Sequence, residues 1–187
     1  MGENKAFLML DGRRLIDHAI RQARSAADDI FIVGPKEVFG AFGRIVPDLH
    51  PDCGPLGGIH AALDRARTDF SLILALDTPF ITQKLLTHLT AAAKHSQAIV
   101  TVPRVKGRFQ PLCALYRSEF AKIADAALKR GERKVDALFT PDITQVIEED
   151  TLASAGFSPE MFDNLNSPED FARAERLCAK PVHPYSS

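Results

Sequence analysis

A carboxylate at the end of an apolar run is the side chain with the clearest chemical potential in this sequence. Leu72 to Leu76 read LILAL, and Asp77 follows them directly, ahead of Thr78 and Pro79. Such a run is typical of a buried strand, and ligand sites form at the carboxyl ends of parallel strands. Because Mg²⁺ prefers oxygen ligands and bridges phosphates, Asp77 is a candidate metal ligand. The motif alone fits equally well an aspartate that caps the turn before Pro79.

A glycine-rich segment, Gly54 to Gly58 (GPLGG), precedes a helical pattern that starts near Ile59. Glycines let backbone N–H groups approach a ligand closely, and the N-terminus of a helix favours anions. We interpret the segment as a loop that runs into a helix. Its spacing matches neither the P-loop nor the dinucleotide-binding fingerprint, so an ordinary tight strand-to-helix turn is the competing interpretation.

The apolar pattern predicts the elements that position these residues. Short apolar runs predict strands at Ile30–Val33, Ser71–Leu76, Ala98–Val102, Pro111–Tyr116 and Ile143–Glu148. Apolar residues three and four apart predict helices that start near Leu15, Ile59, Leu85 and Phe120, and Ser167 with Pro168 opens a last one. Alternation of this kind predicts a three-layer α/β/α fold with a mostly parallel, Rossmann-like sheet. We expect one domain over residues 1–180 and a tail over 181–187.

The composition excludes several classes of protein. The 23 Lys and Arg residues balance 24 Asp and Glu residues, which gives no reason to expect nucleic acid or a membrane surface as a partner. No apolar run approaches the roughly 20 residues of a membrane span, and we expect a cytoplasmic location. The three cysteines are expected to be reduced thiols, and the six histidines lack the spacing of a zinc site.

Six segments are spread across the chain, and two of them contain the residues described above. They are MGENKAFL with LDGRRLI (residues 1–16), VPD with CGPLGGI (46–59), ALDTPFI (75–81), FQPL (109–112), RGERK (130–134) and FDNLNSPED (162–170). In this order they resemble the molybdenum cofactor guanylyltransferases, which have the nucleotide-diphospho-sugar-transferase type of fold. The resemblance covers about 170 residues, and its order makes coincidence a poor explanation.

The resemblance implies an activity and a set of site residues. Enzymes of this family transfer GMP from GTP to molybdopterin, releasing pyrophosphate and the guanine dinucleotide form of the cofactor. By analogy Asp77 binds Mg²⁺, or Mn²⁺ in its place, and Lys5 contacts the GTP phosphates. Nucleotide-binding positions would be Gly34, Asp48, Gly54, Pro55, Leu56 and Gly57, and molybdopterin-binding positions would be Gln110, Asn164 and Asn166. Molybdenum-insertion proteins and the chaperones of apo-molybdoenzymes are the expected protein partners.

The sequence departs from the family pattern near its start. The family's first strand and its L-A-G-G-x-S-x-R phosphate loop precede the segment at which this sequence begins, so we expect weakened GTP binding unless the true start lies upstream. Asn4 replaces the usual Asp, and Gly34 stands where the family often has Asn. Two alternatives therefore stay open: a sister nucleotidyltransferase for CTP or a sugar phosphate, and a non-catalytic module. Without the family resemblance, Asn164 and Asn166 are interpreted nearly as well as turn formers before Ser167.

Overall fold

The computed structural model describes residues 4–50 and 52–178, in which helices and strands alternate. The α-helices are α1 (Leu15–Arg24), α2 (Lys36–Phe39), α3 (Gly54–Arg65), α4 (Gln83–Lys94), α5 (Phe120–Lys129), α6 (Glu149–Ser154) and α7 (Pro168–Cys178). Short 3-10 helices span Lys5–Phe7, Asp136–Leu138 and Pro159–Phe162. The predicted tail over residues 181–187 lies outside the described residues.

Nine strands form three sheets within the described residues. They are β1 (Met9–Leu10), β2 (Arg13–Arg14), β3 (Ile32–Val33), β4 (Ile45–Val46), β5 (Phe70–Leu74), β6 (Val100–Val105), β7 (Arg108–Phe109), β8 (Cys113–Arg117) and β9 (Thr144–Glu148). β1 pairs with β2, and β3 pairs in parallel with β4. The central sheet joins β5 to β8, β8 to β6, and β6 to both β7 and β9.

Two helical layers cover the central sheet, and β8 shows how. Its residues alternate between faces, as the two-residue period of a strand requires. Ala114 and Tyr116 pack with α3 and α5, whereas Cys113 and Leu115 pack with α4 and α6. Burial on both faces explains the nearly continuous apolar strands, and it confirms the three-layer α/β/α prediction.

The strand directions refine the prediction of a mostly parallel sheet. β5, β6 and β9 run in one direction, but β8 lies between β5 and β6 and is antiparallel to both. β8 follows β7, which returns from β6 through a hairpin at Lys106 and Gly107, so it re-enters the sheet without a crossover helix. Direct parallel pairs are therefore limited, among the described strands, to β3–β4 and β6–β9.

Several predicted boundaries differ from the structure by a few residues, and two of these differences concern the site. Helix α3 starts at Gly54 rather than near Ile59, because the segment read as a loop takes helical conformation with Pro55 in its first turn. Strand β5 ends at Leu74 rather than Leu76, and Asp77 lies in the turn that follows. Within the described residues, no helix combines the length and the apolar composition that crossing a membrane would require.

Candidate active site

The turn that carries Asp77 is held by backbone contacts from three other segments. The N–H of Ala75 donates to the carbonyl of Leu112 over 2.7 Å, and the N–H of Leu165 donates to the carbonyl of Asp77 over 2.9 Å. From α1, Nε2 of Gln22 donates to the carbonyl of Pro79 over 2.8 Å. The backbone at Asp77 is therefore fixed from several directions, which places its carboxylate independently of its own side-chain contacts.

The carboxylate of Asp77 is half-buried and carries an incompletely compensated charge. Burial raises the pKa of Asp77, while its own backbone N–H and the charge of Lys5 act in the opposite direction. No cation of the described residues lies within 4.0 Å of this carboxylate, in contrast to the ion-paired carboxylate of Asp163. An oxygen donor in this state fits the ligand chemistry of a hard divalent cation.

Lys5 reaches the same edge of the sheet from the start of the described chain. The side chain of Asn4 caps the 3-10 helix Lys5–Phe7 by accepting from the N–H of Ala6, and Ala6 is fully buried. With its backbone anchored in this way, Lys5 donates from Nζ to Oδ1 of Asn166 over 2.7 Å. Residues 161 positions apart in the sequence thus meet beside Asp77.

The segment Phe162–Ser167, here termed the closing segment, lies along the Asp77 turn and leads into α7. Ser167 and Asp170 form a reciprocal cap: Oδ2 of Asp170 accepts from the N–H of Ser167 over 3.0 Å, and Oγ of Ser167 accepts from the N–H of Asp170 over 3.1 Å. Asn164 and Asn166 are exposed on either side of the buried Leu165. An extended segment with one buried residue presents its neighbours to the same side.

A cavity of about 470 Å³ collects several of the predicted site residues. Its lining includes Asp77, Gln110, Asn164 and Asn166, which the sequence suggested, and Arg108 and Arg173, which it did not. Arg173 contacts Asp163 at 3.2 Å, and Lys106 contacts the same carboxylate at 2.7 Å. Asp163 therefore holds Arg173 in the cavity wall and Lys106 next to it. The sequence signal that could have found Arg173 is its place on α7, three residues after the capping Asp170.

The remaining predicted residues form a second surface, the glycine wall, composed of Asp48 and Gly54–Gly58. A Cβ added at Gly57 would lie 2.9 Å from the carbonyl oxygen of His50 and 3.3 Å from Oδ1 of Asp48, so glycine is required for this close approach. Leu56 was predicted to contact nucleotide, but its side chain is fully buried in the core. Its backbone alone can therefore face a ligand.

Gly34 and Asp48 follow the paired strands β3 and β4, so they lie at the same edge of that small sheet. The N–H of Gly34 donates to the carbonyl of Val46 over 3.0 Å, and a Cβ at Gly34 would lie 3.0 Å from the ring of Phe39. Helix α3 packs against β3, β4 and β5, which puts the glycine wall between the β3–β4 pair and the central sheet. The cavity beside Asp77 is not lined by the glycine wall.

The RGERK turn after α5 contacts the glycine wall, which the sequence did not predict. Nη1 of Arg133 donates to the carbonyl of Asp52 over 3.2 Å and contacts Sγ of Cys53, the residue before α3. Oε1 of Glu132 accepts from the N–H groups of Arg133 and Lys134 over 2.8 and 2.7 Å, which fixes the turn. A cation is thereby positioned at the N-terminus of α3.

Comparison with known proteins gives a consistent picture. The family described as MobA-like NTP transferase domain matches residues 1–145. The molybdenum cofactor guanylyltransferase of Desulfosudis oleivorans is 32% identical over 176 residues, covering 93% of this chain and 87% of that protein. Molybdopterin-guanine dinucleotide biosynthesis protein A from Archaeoglobus fulgidus has a TM-score of 0.82 at 24% identity, covering 95% of this chain and 92% of its own. The 2-C-methyl-D-erythritol 4-phosphate cytidylyltransferase from Thermus thermophilus gives 0.68 at 18% identity, with 93% of both chains covered.

Proposed function

The chain belongs to the MobA-like NTP transferase family, and from this premise we propose that it transfers GMP from GTP to molybdopterin with release of pyrophosphate. The observation that carries the proposal is the meeting of Asp77, Lys5 and Asn166 at one edge of the sheet, with Lys5 and Asn166 in direct contact at 2.7 Å. A carboxylate, an ammonium group and an amide at one edge suit a reaction in which two phosphates must be brought together.

The reaction makes little covalent demand on the protein. A phosphate oxygen of molybdopterin attacks the α-phosphorus of GTP, the bond to the β-phosphate oxygen breaks, and pyrophosphate carries away the electron pair. Catalysis of phosphoryl and nucleotidyl transfer rests mainly on positioning and on neutralising negative charge. Lys5 would neutralise charge on the triphosphate, and the cations near Asp163 would hold the anionic acceptor.

Asp77 is the residue that would hold a divalent cation, Mg²⁺ in the first place and Mn²⁺ as its substitute. When bound, such an ion neutralises charge on the phosphates. The support is the half-buried carboxylate without an ion-pair partner among the described residues. Asn166 would keep Lys5 at the edge of the site, and Asn164 and Gln110 would offer amide hydrogen bonds to molybdopterin from the same cavity wall.

The glycine wall would hold the nucleoside. Asp48 follows β4, and its carboxylate suits the N–H groups of a guanine edge, while the small residues of Gly54–Gly58 would allow the nucleoside to lie close to the backbone. Gly34 would border the same surface at the end of β3. Delivery of the product to molybdenum-insertion proteins or apo-molybdoenzyme chaperones stays a prediction from the family.

A pyrophosphate-release assay with the full chain tests the proposal. The protein is incubated with molybdopterin, Mg²⁺ and either GTP or CTP. Pyrophosphate should be released with GTP, and omission of molybdopterin, Mg²⁺ or GTP should abolish the release. Faster release with CTP would favour a cytidylyltransferase, a candidate supported by the fold similarity to the Thermus enzyme. No release with either nucleotide, from a chain that is folded by circular dichroism, would favour a non-catalytic module.

A further inference from the structure

Two histidines and an aspartate meet away from Asp77, between α3, α5 and the loop after β4. His50 lies in that loop, His60 in α3 and Asp125 in α5. One potential ligand atom from each lies within 4.8 Å of the others, and the two imidazole rings are 5.0 Å apart, centre to centre. Imidazole nitrogen with carboxylate oxygen is a donor set typical of Zn²⁺ and of neighbouring transition metals, whereas Mg²⁺ favours oxygen ligands alone.

The state of His60 gives independent support for a ligand at this position. Its side chain is buried, with 8% of its surface exposed, and its Nδ1 atom has no hydrogen-bond partner among the described residues. Buried polar atoms are nearly always partnered, because desolvation without a new partner is costly. A metal ion bound at Nδ1 of His60 would supply the missing partner.

The other two side chains have the freedom to complete the site. Tetrahedral bonds of about 2.0–2.1 Å place ligand atoms about 3.4 Å apart, so separations of up to 4.8 Å must shorten by up to about 1.4 Å. His50 is half-buried in a loop, and Asp125 is partly exposed and paired with Lys129 at 2.7 Å. Lys129 is 71% exposed, and ion pairs of this kind are weakly held in water, so Asp125 can turn from Lys129 to a metal.

We propose that His50, His60 and Asp125 bind one zinc-class transition-metal ion, with water as the fourth ligand. The ion would tie the loop that carries Asp48 to α3 and α5. The N–H of His50 donates to Oδ1 of Asp48 over 2.9 Å, and the carbonyl of His50 accepts from the N–H of Cys53 over 3.1 Å. A metal on the His50 ring would therefore fix the loop that leads to the glycine wall, and it is separate from the ion proposed at Asp77.

Co²⁺ titration of the full chain, without a polyhistidine tag, tests this site directly. Wild type should bind one Co²⁺ per chain with the visible absorption of a low-coordinate cobalt site, and Zn²⁺ should displace it. Loss of even an outer partner weakens metal binding about 10–100-fold, so His60→Gln and His50→Gln should each weaken Co²⁺ binding at least about 100-fold. Asp125→Asn should weaken it at least about tenfold. His95→Gln changes an exposed histidine outside the group, so it is the matched control and should leave Co²⁺ binding unchanged.

Several results would overturn the proposal. The proposal fails if the wild-type protein binds no Co²⁺ at micromolar concentration. It also fails if His50→Gln binds Co²⁺ as tightly as wild type. His50 is a half-buried loop residue, so its substitution should not unfold the chain. Binding that survives both histidine changes but disappears in Cys53→Ser would indicate a thiol site instead. Circular dichroism of each variant separates loss of a ligand from loss of the fold. The titration contains neither GTP nor molybdopterin, so its outcome is independent of the proposed transferase activity.

Discussion

The closing segment and the glycine wall are built in opposite ways. The closing segment presents side chains: Asn164 and Asn166 project toward the cavity, and Asp163 holds Lys106 and Arg173. The glycine wall presents backbone, because Gly57 has no room for a Cβ and the side chain of Leu56 is buried. Substitutions on the first surface should therefore change chemistry, and substitutions on the second should change shape and stability.

The largest effect should come from Asp77, which lies beside the closing segment. Loss of a single preorganised electrostatic group costs about 10²–10³ in kcat. Because Asp77 would hold an ion that acts on the phosphates, Asp77→Ala should lower the rate of pyrophosphate release at least about 10³-fold. Asp64→Asn, at an exposed position of α3, is the control and should retain the wild-type rate.

A second substitution of Asp77 should show that the loss of activity is not caused by unfolding. Burial raises the pKa of Asp77, so this carboxyl increasingly destabilises the folded state as the pH rises from the unfolded-state pKa, and the full cost is reached above the folded-state pKa. In metal-free buffer at pH 7, Asp77→Asn should unfold at a urea concentration at least as high as wild type. The difference should vanish below about pH 3.9, where the carboxyl is protonated in both states. A lower midpoint for the variant at pH 7 would contradict this account of the charge.

Substitutions in the glycine wall should change the free energy of unfolding. A methyl group at position 57 would meet the carbonyl of His50 at 2.9 Å and Cβ of Cys53 at 3.0 Å. Gly57→Ala should therefore lower the free energy of unfolding by about 1–3 kcal/mol, as overpacking does. Gly58→Ala meets nothing within 4 Å and should instead raise it by about 0.4–1 kcal/mol. Urea denaturation of the pair measures both, and equal shifts would mean that the close contact at Gly57 does not constrain the fold.

The closing segment should show the smallest effect, and it should act through Lys5. Removing one hydrogen bond costs about 0.5–1.5 kcal/mol, so Asn166→Ala should lower kcat/KM for GTP about three- to tenfold. If Asn166 works by positioning Lys5, Asn166→Ala should have almost no further effect in a Lys5→Ala background. Additive losses in the double variant would show that the contact between Lys5 and Asn166 has no role in GTP use.

Local patterns predicted the fold well because the core follows them. The strand predicted to end at Glu148 does end there, and Ser167 caps α7, as its position before Pro168 predicts. The start of α3 was missed because glycines favour loops by propensity, whereas packing against three strands determines the conformation here. Tertiary context overrode the local signal.

The site was less predictable, since its contacts join distant parts of the chain. Asp77 was a candidate from the end of its apolar run, and its role stays a prediction. Gln22, which holds the Pro79 carbonyl from α1, and Arg133, which reaches Cys53, carry no local signal of that kind. His50 and His60 likewise lack the spacing of a metal motif, and their third member lies on another helix. Sites that tertiary packing assembles from distant residues can be identified once the structure shows which residues meet.

Asp77 should couple the binding of a divalent cation to the binding of the nucleotide. The affinity for a fluorescent GTP analogue, measured with and without Mg²⁺, tests this most directly. In wild type, Mg²⁺ should tighten binding of the analogue at least about tenfold, a coupling of roughly 1.4 kcal/mol. In Asp77→Asn the dissociation constant should be the same with Mg²⁺ as with EDTA. Equal tightening by Mg²⁺ in the variant and in wild type would contradict the assignment of Asp77 as the metal ligand.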